Sequence, residues 1–244
     1  MNGIQLCARF SLATNRLNYC GPAGADRGLL ETILTGEGAE ASARALRKFE
    51  ALEPYLEAIA AKHGRDAFDH DVVEAYWIGN ELLEDFTRED FREILDVLQH
   101  RGLPRAIVAR LGAHLPERPL PHHAFHVTYV GVGAVTGKVE TTLDNMEMCR
   151  PSWGRVLSVD EGTLAVEKPS LAVDGGHLQL GDPHRAAYDF DPRFLPGVGP
   201  GDWVAFHWGW PAVVLEPAQM ARLREYTARS LEASNAALVL LGVL

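Results

Sequence analysis

Cysteine is scarce in this chain. Cys7, Cys20 and Cys149 are its only three, odd in number, widely spaced and without a C-x-x-C pair, which argues against a secreted disulfide framework. Basic charge is outweighed as well: Lys and Arg number 23 against 33 Asp and Glu, giving −10. Both sides of Met148 are acidic, so the electrostatic footprint of a nucleic-acid binder is missing. The longest apolar run, Ala236 to Leu244, spans nine residues, far short of the ~20 that cross a bilayer. The opening MNGIQLCARFSLATNRLNYCGP lacks the charged start and apolar run of a signal peptide. Repeats and low-complexity stretches are absent too. The expectation is a cytoplasmic protein with reduced thiols, binding neither nucleic acid nor membrane.

What remains is an ordinary globular composition, 47% hydrophobic over 244 residues, long enough to bury a core without disulfide or metal staples. From about Gly28 to Gly112 the pattern is helical. Leu46, Phe49, Leu52, Leu56 and Ile59 keep the three-or-four spacing of one buried face. A second helix is predicted from Val72 to about Asp85, with Asp69 or Asp71 as its cap. A third starts at Thr87 and turns Phe91, Ile94, Leu95 and Leu98 inward, and a short one runs from Arg105 to Leu111. Three prolines between Leu115 and Pro121 mark a change. After them come β-type runs at Ala124–Val132, Arg155–Val159, Thr163–Glu167, Leu171–Leu180 and Trp203–Trp208, separated by Gly and Pro. A closing helix over Pro217–Asn235 buries Met220, Leu223, Tyr226, Thr227 and Leu231. The predicted class is α+β: a helical domain over 1–118, then over 119–244 a small antiparallel β-barrel, OB-like, with a C-terminal helix.

Several motifs were weighed for chemistry. Gly131 to Lys138 imitates a phosphate loop but has Val132 where Gly is needed and Val139 where Ser or Thr would hold Mg²⁺; a turn through Thr136-Gly137-Lys138 accounts for it better. Gly197, Gly199 and Gly201 read as a loop. His122-His123-Ala124-Phe125-His126 is the densest imidazole cluster. In an extended segment His122 and His126 share one face while His123 points away. That pair would ligate a metal with one further donor from Asp69, Asp71 or Glu74. A hydrogen-bonded loop beside an N-cap is the plainer reading. Cys20, before Gly21-Pro22, sits on a tight turn where backbone N–H groups can activate a thiol, although a small buried residue also suits a turn. Tyr76 to Asn80 reads as core packing, with Gly79 permitting close approach.

Met148-Cys149-Arg150-Pro151-Ser152-Trp153-Gly154-Arg155-Val156 opens the β half. Near its far end stands Gly201-Asp202-Trp203-Val204-Ala205-Phe206-His207-Trp208-Gly209-Trp210-Pro211-Ala212, followed by Glu216-Pro217-Ala218 and a helix. Residues 148–244 thereby resemble the HypC/HupF family of nickel–iron hydrogenase assembly chaperones. Those proteins open with Met-Cys, an apolar stretch and Pro-Gly-basic, and later carry a Gly-Asp-aromatic-Val-x-x-His-x-Gly-aromatic-Ala strand. Cys149 falls on the family's thiol and His207 on its strand histidine. Two departures are visible: Cys149 is internal and has no free α-amino group, and Trp153 replaces the usual proline. The N-terminal half, through NRLNYCGP, resembles only an uncharacterised bacterial family of the same two-part layout.

The resemblance implies a carrier that holds iron bearing cyanide and carbon monoxide ligands through Cys149, with His207 assisting. Its partners would be a hydrogenase large subunit or other maturation proteins. Cys20 is a possible second thiol if it lies near Cys149. Two other readings stay open. One is a metal-dependent enzyme built on His122, His126 and a carboxylate. The other is a docking module presenting Trp203, Trp208 and Trp210 as aromatic anchors, with Trp203 on the face opposite the other two.

Overall fold

The structure, a computed structural model, describes residues 1–241, with the side chains of 238–241 excepted. The last residues of the Ala236–Leu244 run therefore lie outside the described residues. Among the described residues no helix is long and apolar enough to cross a membrane.

The chain begins with a helix that its sequence conceals. Helix α1, Gly3–Arg16, is started by a capping box in which Asn2 accepts from the Gln5 N–H at 2.9 Å and Gln5 answers. Leu6, Cys7, Ala8, Phe10, Ser11 and Leu12 are all buried, while Ile4, Gln5 and Arg9 are half-buried and Arg16 is exposed, so the helix is enclosed around most of its circumference and shows only a narrow polar stripe. Around it lie α2 (Asp26–Thr35), α3 (Ala39–Leu46), α4 (Glu53–His63) and α5 (His70–Trp77), followed by α6 (Arg88–His100) and α7 (Arg105–Ala113). The expected run through Leu46 to Ile59 is split between α3 and α4, yet all five of its apolar residues are buried. The expected Val72–Asp85 helix stops at Trp77, because Gly79 takes φ +98 and a single 3₁₀ turn follows at Glu81–Leu83. Asp69 occupies the cap position of α5 without capping through its side chain. Thr87 does cap α6, in a capping box with Asp90.

One predicted strand is helical. In place of an extended Ala124–Val132 the chain makes a single turn, α8 (His123–Phe125), running into a π-helix at His126–Gly131. Every residue from 121 to 132 is buried, and an apolar run buried on all sides has no period that tells strand from helix. Thr128 hydrogen-bonds back to the Ala124 carbonyl at 2.9 Å and across to Ser234 at 2.7 Å, joining this segment to the C-terminal helix.

After α9 (Leu143–Cys149) come β1 (Ser152–Asp160), β2 (Thr163–Lys168), β3 (Leu171–Asp174), β4 (His177–Leu180), β5 (His184–Asp189), β6 (Trp203–His207) and β7 (Trp210–Leu215). The chain ends with α10, Pro217–Leu241. Five strands form an antiparallel sheet in the order β5-β2-β1-β6-β7, and β3-β4 is a separate hairpin. The fold is thus mixed helix and sheet, as predicted, but the expected barrel is not closed: edge strands β5 and β7 are not hydrogen-bonded to each other. Val156, Leu164, Val166, Val204 and Phe206 make a small core of the sheet's own. The main core draws on both sides of Pro119, from Leu6 and Phe10 to Trp153, Ala212, Leu223 and Tyr226.

Gly79 shows how closely α5 and α10 meet. A Cβ there would lie 2.1 Å from the Tyr226 ring, on a backbone at φ +98. Gly79→Ala should therefore cost at least about 2 kcal/mol from strain and overpacking together. Urea unfolding checks this, and an unchanged midpoint would contradict the contact.

Candidate metal site

The site is assembled where three distant segments meet. Cys149 is the last residue of α9, and α9 is locked to the sheet by a buried charge cluster beside it. Glu147 accepts from Arg150 and Lys168, each at 2.8 Å, and from the Leu171 N–H at 2.7 Å. Burial raises the Glu147 carboxyl, but the charges of Arg150 and Lys168 outweigh that and hold it below the ordinary range. His207 ends β6, and the turn that follows uses Trp208 at φ +51. The Trp208 N–H donates to the Met148 carbonyl at 2.6 Å. That bond brings the end of α9 against the β6–β7 turn, and so brings Cys149 to His207. His123 enters from α8.

The donor atoms of His123, Cys149 and His207 all lie within 4.8 Å of one another, and all three residues are buried. Each imidazole is held from behind. His207 Nδ1 bonds the Phe10 carbonyl of α1, and its Nε2 is buried without a partner. His123 Nδ1 bonds the Tyr76 hydroxyl at 2.7 Å, and its Nε2 stands 3.6 Å from the Cys149 sulfur. The Trp77 ring contacts both imidazoles, with centroids 4.4 Å from His123 and 4.9 Å from His207. Occupying one ring nitrogen with an outer partner while the other faces a shared point is the way proteins orient histidine toward a metal.

Burial decides the protonation states. It lowers His207 to about 4, and it lowers His123 further, with the neighbouring imidazoles adding to the effect. The same burial pushes the Cys149 thiol well up, helped by Cys20. The imidazoles are neutral, the form that ligates. The thiol keeps its proton until a cation displaces it.

The group faces an apolar cavity of about 50 Å³ whose wall includes Thr14, Cys20, His126, Val132, Val139 and Trp208. At roughly 10–15 Å³ for each water-sized group, it admits a few small ligands and no large substrate.

The sequence-derived candidates are distributed as follows. Cys149 and His207 are brought together. Cys20 lines the same cavity but lies outside the group of three donors. His126 also lines it, bonded through Nδ1 to the Tyr55 hydroxyl at 2.9 Å and stacked on His123. His122 does not line it: its Nδ1 accepts from the Ala124 N–H, and its ring lies over Tyr226. The predicted sharing of a face by His122 and His126 fails because the segment is helical, and the three-residue spacing puts His123 and His126 on the cavity instead. No carboxylate joins them. Asp71 pairs with Arg65, Asp69 accepts from the Asp66 N–H, and Glu74 is taken by Gln219, Asn80 and Arg222. His123 was missed as a ligand because it was read as strand; a helical reading of the same five residues points to it.

The three tryptophans are half-buried, not a shared exposed patch. Trp208 lies against Tyr19, Trp210 packs edge-on to Phe194, and Trp203 joins a separate groove with Trp153 and Met220.

Residues 1–240 match a family model described as "Family of unknown function (DUF6390)". The chain belongs to that family. Comparison of this DUF6390 chain with curated proteins and with solved structures yields no match.

His122, His126 and His207 are held by burial at about 3, 4 and 4, against about 6.5 when unfolded. The unfolded chain therefore takes up protons that the fold refuses. Stability of the metal-free protein should be full above about pH 6.5 and fall toward about pH 4, by about 1.4 kcal/mol per pH unit for each imidazole. Urea midpoints across that range, with single His→Gln variants, measure the slope.

Proposed function

We propose that this DUF6390 protein is a metallocofactor assembly chaperone that carries an iron centre with cyanide and carbon monoxide ligands for a nickel–iron hydrogenase large subunit. The observation that carries the reading is the convergence of Cys149 and His207, the two residues singled out by the HypC/HupF resemblance, on one cavity with the buried Nε2 of His207 unpartnered. A thiolate with neutral imidazoles is a soft donor set suited to such iron.

On this reading the iron is cargo. Cys149 exchanges its proton for the metal, and His207 is aimed by the Phe10 carbonyl. His123, aimed by Tyr76, adds a nitrogen donor from outside the HypC-like segment. The apolar wall has room for small ligands and few polar groups to compete with them, and it limits water at the metal. Asp69, Asp71 and Glu74 are engaged elsewhere and His122 stands off the cavity, which disfavours a metal enzyme on His122 and His126. A hydrogenase large subunit or another maturation protein would receive the iron.

The test is infrared spectroscopy with iron analysis on protein purified without oxygen from a host with active hydrogenase maturation. Wild type should show cyanide and carbonyl stretches with bound iron, and Cys149→Ser should lose both. Iron-free protein without those bands overturns the reading. Metal without diatomic ligands also overturns it, in favour of a resident metal.

A further inference from the structure

Cys20 is the one cavity thiol that the proposed carrier does not use. It lies on the turn after α1 and is half-buried, with burial and the Glu50 charge pushing its thiol up to about 12, whereas Cys149, on the same cavity, is buried. The turn is pinned. Asn15 donates from Nδ2 to the carbonyls of Cys20 and Pro22 at 3.0 and 2.9 Å, and the Gly21 N–H donates to Glu50 at 2.9 Å. Gly21 sits at φ +77 with no room for a Cβ, which would come 2.4 Å from Phe49. The position of Cys20 on the cavity wall is therefore fixed by its surroundings and is not an accident of a loose loop. Beyond it the His207 Nε2 atom is buried and unpartnered, and the space between is open to water-sized groups.

We propose that Cys20 is the docking thiol through which a soft metal ion enters and leaves the His123–Cys149–His207 site. The inference rests on the metal-carrying reading of that site and adds the route. A buried donor group cannot be reached by a hydrated ion in one step, since the ion must shed water before any protein donor replaces it. Cys20, nearer solvent, supplies the first replacement. The incoming divalent ion displaces the Cys20 thiol proton to solvent. When the ion moves inward, the Cys149 thiol gives up its proton and the Cys20 thiolate takes one up. One proton is released per ion, and no oxidation state changes. Cys20 lies outside the group of donors already gathered within 4.8 Å, so it serves transit and not the resting site.

The experiment uses the full-length metal-free protein and Co(II) as the probe, under anaerobic conditions. Thiolate-to-cobalt absorption is followed at equilibrium and by stopped flow, and removal by a chelator is timed. Wild type should bind Co(II), and Cys149→Ser should lose the thiolate band. Cys20→Ser and Cys20→Ala should reach the same final band with affinity within about twofold of wild type. Their uptake and removal should each slow by about tenfold or more. Equal final loading shows that these variants are folded. Unchanged rates in both Cys20 variants overturn the relay and leave the metal site standing. A large loss of affinity in either variant also overturns it, because Cys20 would then be a permanent ligand. Failure of wild type to take up Co(II) removes the site itself, and the relay with it.

Discussion

Helix α1 buries most of its surface, leaving only Ile4, Gln5 and Arg9 half-covered before the exposed Arg16, and the rest of the molecule is arranged around that constraint. A helix with so broad an apolar surface must be largely enclosed, and here helices α2, α3 and α5 enclose it together with strands β6 and β7. Enclosure turns α1 into the member shared by both halves of the chain. Arg9 donates to the carbonyls of Phe194 and Ala212, and the Phe10 carbonyl accepts from His207. A carbonyl in mid-helix has a second lone pair available, so α1 can orient the imidazole without surrendering its own hydrogen-bond ladder.

The polar groups near the cavity are costly unless each has a partner. Most do. Tyr55 and Tyr76 each satisfy a histidine, and Glu147, Arg150 and Lys168 satisfy one another while fixing the end of α9. Against that background four atoms on the cavity wall lack partners, Ser11 Oγ, the Trp77 and Trp208 ring nitrogens and His207 Nε2, and of the three ring nitrogens only that of His207 offers a lone pair, since its Nδ1 donates to the Phe10 carbonyl. A lone pair left free beside a buried thiol is an arrangement suited to a group that binds both.

How much of this could be read beforehand depended on whether burial was one-sided. Helix α6 was legible to its cap, because Thr87 and Asp90 announce its start and only one face is buried. Strands β1, β2 and β6 were legible from alternation and punctuation. The segment from His123 to Gly131 was not, since complete burial erases the period that separates strand from helix, and the narrow polar stripe of α1 left its period weak. The site inherited both outcomes. Cys149 and His207 were singled out by the HypC/HupF resemblance and lie together with His123 in the structure, while an extended reading of His122 to His126 turned His123 to the opposite face. Sheet closure was beyond reach as well, because regular strand spacing does not fix which edges meet.

The internal position of Cys149 is the feature that most separates this chain from the family its C-terminal half resembles. In that family the cysteine becomes the first residue and brings a free amine with it. An internal cysteine brings a peptide nitrogen, which is no ligand at neutral pH, so the resemblance leaves this chain one nitrogen donor short. On the carrier reading His123 would make up the number: it comes from a helix that precedes the HypC-like segment, its Nε2 is 3.6 Å from the sulfur, and Tyr76 of α5 holds its other nitrogen. The helical half, on this argument, is more than an appended module. On the carrier reading it would supply the donor that the sheet half lacks, with the carbonyl that aims His207 and the turn that carries Cys20, so neither half alone should hold a metal as well as the whole chain.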